Sequence, residues 1–63
     1  ILKSDVDAAL KAYEASQEAV FDEENRWFVT RHRLGNVTFW VKFTREESGY
    51  TVHGAYSHRM TVE

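Results

Sequence analysis

Residues 37–44 alternate without a break, Val37, Phe39, Val41 and Phe43 against Thr38, Trp40, Lys42 and Thr44. An apolar period of two belongs to a β-strand, in which successive side chains leave opposite faces. One face of this strand is therefore greasy and the other mixed. A lone strand cannot hide such a face, so the segment requires neighbours in a sheet and a cover over its apolar side.

The neighbours are visible on both flanks. Upstream, Trp27 to Leu34 is rich in aromatic and β-branched residues, and the pair Gly35-Asn36 separates it from the alternating strand. A glycine-led pair supplies the positive φ of a two-residue hairpin turn. Downstream, Glu46 to Gly49 makes a second reversal before Tyr50 to Val62. Gly54 interrupts that last run and marks a bulge or sharp bend. The pattern predicts strands over about 26–34, 37–45 and 50–62.

The cover must come from the first third of the chain. Ser4 stands before Asp5, Val6 and Asp7, the arrangement of an N-cap hydroxyl with acids in the first turn. Val6, Leu10, Tyr13, Gln17 and Val20 then recur at three- and four-residue spacing, with Ala9 and Ser16 beside them. Nothing breaks this period before the polar run Asp22 to Asn25, which predicts a helix over about 4–22. The expected fold is α+β, a single domain over 1–63: one N-terminal amphipathic helix packed on a three-stranded antiparallel β-meander. Its expected core joins Val6, Leu10, Tyr13 and Val20 to Val37, Phe39, Val41 and Phe43. Val29 and Val52 complete that core, with Trp27 or Phe28.

Composition narrows the chemistry. With 63 residues the chain is near the size at which a domain is marginally stable, and with no cysteine it has neither disulfides nor thiolate metal sites. That fits a reducing compartment, and a cytoplasmic location is expected. No apolar run approaches the roughly 18 residues of a membrane span. Net charge is −2, but it is unevenly spread. Before Arg26, Asp5, Asp7, Glu14, Glu18, Asp22, Glu23 and Glu24 outweigh Lys3 and Lys11. From Arg26 onward, Arg26, Arg31, Arg33, Lys42, Arg45 and Arg59 outweigh Glu46, Glu47 and Glu63, and all three histidines join them. The domain is expected to be electrically two-sided.

No arrangement of residues signals catalysis. Ser57 and His58 are adjacent, which in a strand sends them to opposite faces, and three scattered glycines build no phosphate-cradling loop. His32, His53 and His58 lack metal-ligand spacing, so no metal or other cofactor is expected. His53 and His58, five apart, share a face only if a bulge intervenes at Gly54.

What remains is the face turned away from the helix. It holds Thr38, Trp40 and Lys42 in its centre. With Val29 and Val52 inward, His32 and His53 join it, together with Thr30 and Thr51 and with Ala55 and Ser57. Arg31 and Arg59 stand at its margin. An exposed tryptophan ringed by arginine and polar groups resembles the centre of a contact surface. The expected function is that of a non-catalytic protein–protein interaction domain or small accessory subunit, contacting a protein partner or a second copy through this face or an edge strand. An anionic or aromatic small molecule on the same face is the alternative, and single-stranded nucleic acid a second one, disfavoured by the net negative charge.

Overall fold

The computed structural model describes residues 2–60. Helix α1 (Lys3–Ser16) is followed by strands β1 (Val20–Asp22), β2 (Trp27–Leu34), β3 (Val37–Glu46) and β4 (Gly49–Arg59). The strands form one antiparallel sheet in the order β1-β2-β3-β4, with α1 lying across β2 and β3. The class is α+β, as the alternation requires, but the sheet has four strands rather than three. The expected end of the last strand, 61–62, lies outside the described residues.

The fourth strand comes from residues expected to be helical. The helix stops at Ser16 because Gln17 turns left-handed, at φ 59°, and its N–H donates to the Tyr13 carbonyl. The Thr30 hydroxyl then donates to the Glu18 carbonyl at 3.0 Å and ties the connection to β2. Val20, Phe21 and Asp22 pair with Val29, Phe28 and Trp27. Val20 and Phe21 sit at helical spacing from Tyr13 and Gln17, yet a β-branched and an aromatic residue gain more from cross-strand partners than from one further turn. The helix also begins earlier than expected. Leu2 is its N-cap, without a side-chain hydrogen bond, which places Ser4 inside the first turn; Asp5 keeps its place there.

The core sits between α1 and the centre of the sheet. Ala9, Leu10 and Tyr13 of the helix are buried against Val41 and Phe43, and Val6, Ala19, Phe28, Tyr50 and Ala55 pack around them. Phe39 is buried farther along β3. The aromatic members meet edge-on: Tyr13 lies 4.8 Å from Phe43, and Phe43 lies 5.4 Å from Tyr50. Arg45 donates to the Tyr13 hydroxyl at 3.4 Å, and the Tyr50 hydroxyl donates to Glu14 Oε1 at 3.1 Å, which fastens the end of the helix to β3 and β4. Val20, expected in this core, is instead 73% exposed on the far side of the sheet.

Register decides the remaining faces. In β2, Phe28, Thr30, His32 and Leu34 stand opposite Phe43, Val41, Phe39 and Val37, and so face the helix side. Val29, expected inside, pairs with Lys42 and faces out. The exchange is stable because Phe28 stacks on Phe43 at 5.8 Å and the hydroxyl of Thr30, which is polar and buried, is satisfied by the Glu18 carbonyl. In β4 the pairing slips between Lys42 and Phe43: Lys42 faces Gly54, and Phe43 faces Val52. His53 is the extra residue, so the expected bulge exists. Beyond it the alternation is inverted, and Ala55 and Ser57, expected outward, stand opposite Val41 and Phe39 on the helix side.

Candidate binding face

The outer face is built by four strands whose alternate residues turn away from α1. From β2 come Trp27, Val29, Arg31 and Arg33, and from β3 Thr38, Trp40, Lys42 and Thr44, the partners that the register sets beside them. Edge strand β1 contributes Val20 and Asp22. Strand β4 contributes His58 opposite Thr38, Tyr56 opposite Trp40, and Thr51 opposite Thr44, with His53 added by the bulge.

These side chains form a continuous row across the sheet. Trp40 and Tyr56 stack at 5.1 Å with their planes 13° apart. Lys42 Nζ lies 5.6 Å from the ring centroids of both Tyr56 and Trp27, so its ammonium interacts with two π faces. Trp27 then meets the His53 ring at 5.3 Å, and His53 Nε2 lies 3.0 Å from the Thr44 hydroxyl. The two acids of this face, at its corners, are already engaged. Glu46 Oε1 accepts the hydroxyls of Thr44 and Thr51, at 3.3 and 3.4 Å. Asp22 accepts the Asn25 side-chain amide at 2.9 Å and the backbone N–H groups of Glu24 and Asn25 at 3.0 and 3.2 Å. The Asn25 side chain is the main reason the Asp22 carboxyl is held below its ordinary range, and the backbone donors add to it. The indole N–H of Trp27, on the residue paired with Asp22, is buried without a hydrogen-bond partner among the described residues.

Of the seven residues expected to bind, five belong to this face: Trp40, Thr38, Lys42, Arg31 and His53. The other two do not. His32 stands opposite Phe39, half-buried on the helix side, and Arg59 stands opposite Val37 on that same side. Both misplacements follow from parity, which in β2 is set by Phe28 rather than Val29 and in β4 is inverted by the bulge. The same bulge returns His53 and His58 to one face. His32 is on the other, and among the described residues no three metal-ligating side chains come together.

Sequence reasoning missed Tyr56, Trp27 and Arg33 as members of the face. Tyr56 becomes visible only once the extra residue in β4 is counted, and Trp27 only once Phe28 is turned inward. It also missed a cleft of about 690 Å³ where the row meets the sheet edge, between the Gln17–Val20 connection and Val29, Arg31 and Trp40.

No family model matches the chain, and no curated protein or solved structure matches it either. Among the described residues, no helix is long and apolar enough to cross a membrane.

Proposed function

We propose that this domain is a non-catalytic binding module whose contact surface is the outer face of the sheet, and that its partner is another protein. The observation that carries this reading is the row from Trp40 through Tyr56, Lys42 and Trp27 to His53, lying on a face that α1 does not cover. Rings of this size left at a surface, with cations between them, are what protein interfaces use as anchors. Strand β4 adds a second element. Its 11 residues pair with β3 on one side only, so a row of backbone donors and acceptors borders the aromatic row and is available to a partner strand.

The charge layout supports a partner with an acidic contact region. Arg31, Arg33 and Lys42 rise from the outer face while Asp5, Asp7 and Glu14 belong to the helix on the other layer. Complementary charge would orient the encounter and make its rate fall with salt.

The test is untagged purification from the native source at gentle salt, with wild type and Tyr56→Ala compared side by side. A protein partner present in stoichiometric amount with wild type and lost with the folded variant supports the proposal. A partner retained equally by both refutes the assigned face. A wild-type monomer without any protein partner refutes the module reading.

A further inference from the structure

We propose that the cleft beside Trp40 is a small-molecule site for a planar aromatic ring bearing a single carboxylate. This goes beyond the protein-binding reading and does not depend on it. Neighbouring strands lie roughly 4.8 Å apart, close to the 5.1 Å between the Trp40 and Tyr56 ring centroids. Two rings on adjacent strands can be nearly parallel at that spacing only if they stand on edge from the sheet rather than lie flat on it. Tyr56 on β4 therefore covers one face of Trp40, and the other face is turned toward β2.

The cleft opens on that side. Val29 and Val20, paired across β1 and β2, form its apolar wall, and the Gln17–Val20 connection closes its rim. A flat ring entering here would become the third member of a stack that Tyr56 and Trp40 begin. Its volume of about 690 Å³ falls within the range of small-ligand sites. A saturated ring of similar size lacks the flat face that such a slot selects.

Arg31 supplies the polar end. It stands directly opposite Trp40 in the register and lines the cleft. Among the described residues the arginine side chains that form hydrogen bonds are Arg33, which donates to the Gly35 carbonyl, and Arg45, which donates to the Tyr13 hydroxyl. The Arg31 fork is thus left for a planar anion, which a guanidinium holds by two parallel hydrogen bonds. Arg31 is the one cation among the lining residues and Glu18 is an acid on the rim, so the cleft matches at most one anionic group.

The experiment is a titration of the full chain with naphthoate, followed by backbone and indole N–H correlation spectra. Naphthamide, which is flat but neutral, and cyclohexanecarboxylate, which is charged but not flat, serve as comparators. The expected result is saturable binding with a Kd in the millimolar range or tighter, with the largest shifts at Trp40, Arg31 and Val20. Each comparator and the Arg31→Gln variant should bind about tenfold more weakly or worse. Val20→Glu at the exposed rim provides a second variant that leaves the core untouched, and it should abolish the shifts. No saturation by about 10 mM would overturn the proposal. So would shifts centred on Trp27 and His53, unchanged binding by Arg31→Gln, or equal binding of all three compounds. Because each readout uses a small molecule, the result stands apart from whether a protein partner is found.

Discussion

Lys42 Nζ stands 5.6 Å from the ring centroid of Trp27 on one neighbouring strand and 5.6 Å from that of Tyr56 on the other. One ammonium therefore links β2, β3 and β4 on the outer face. Replacing Lys42 by methionine keeps most of the stem and removes the charge, and the expected cost is about 1 kcal/mol. In a domain of this size that is a fall in Tm of roughly 4–8 °C, measurable by thermal circular dichroism. An unchanged Tm would mean that the two cation–π contacts add nothing.

The two faces should differ sharply in what they tolerate. Phe43 is fully buried against Tyr13, and Phe43→Ala is expected to cost about 3–5 kcal/mol, enough to unfold a marginal domain. Phe39→Ala falls in the same class. Trp40→Ala removes one stacked pair and part of a half-buried ring, for about 1 kcal/mol, and leaves the fold in place. Urea unfolding of the three variants decides it: if Trp40→Ala unfolds with the others, the outer face is a second core rather than a binding surface.

Gln17 occupies left-handed backbone at φ 59° at the end of the helix, where a side chain costs about 1–2 kcal/mol relative to glycine. Gln17→Gly gives up one exposed hydrogen bond to the Glu14 carbonyl and relieves that strain. A net gain of about 0.5–1 kcal/mol is expected, seen as a higher urea midpoint at unchanged slope. Loss of stability would mean that the helix exit depends on the glutamine side chain.

Acid and alkali should each undo one specific contact. Burial raises the Tyr50 hydroxyl above its ordinary value of 10.0, and its hydrogen bond to Glu14 raises it further. A group whose folded pKa is raised contributes stability that is complete below the unfolded value and disappears as pH climbs past it, so stability falls above pH 10.0. Asp22 is shifted the other way, below 3.8, chiefly by the Asn25 side chain. Its contribution is complete above that value and is lost as pH falls beneath it. Tm followed against pH should show a shallower alkaline slope in Tyr50→Phe and a shallower acid slope in Asn25→Ala, each relative to wild type.

The elements most legible in the sequence were those whose pattern admits one reading. The alternation of β3 fixes which of its residues meet the helix, and Gly35-Asn36 does make a two-residue turn, with Gly35 at φ 65°. The site was legible where it depends on that strand: Thr38, Trp40 and Lys42 follow from its parity alone. Strand β2 reads equally well in both phases, since Val29 and Phe28 are both apolar, and only its pairing with β3 turns Phe28 inward. That ambiguity sent His32 to the wrong face. The short β1 was hidden because Val20 continues the helical spacing, and nothing local announces that Gln17 turns left-handed.

The extra residue at His53 makes β4 a strand of two phases joined by a dislocation. On one side of it Tyr50 and Val52 turn toward the helix; on the other Ala55 and Ser57 do, and no regular alternation places both sets correctly. The length of the chain at this point is therefore as much a part of the fold as its composition. Pairing the strand straight through His53, without the bulge, would rotate everything from Gly54 to Met60 by half a turn, bringing Tyr56 into the helix layer and Ala55 onto the aromatic row. Such a slip would dismantle the outer face even though none of the rings had been changed.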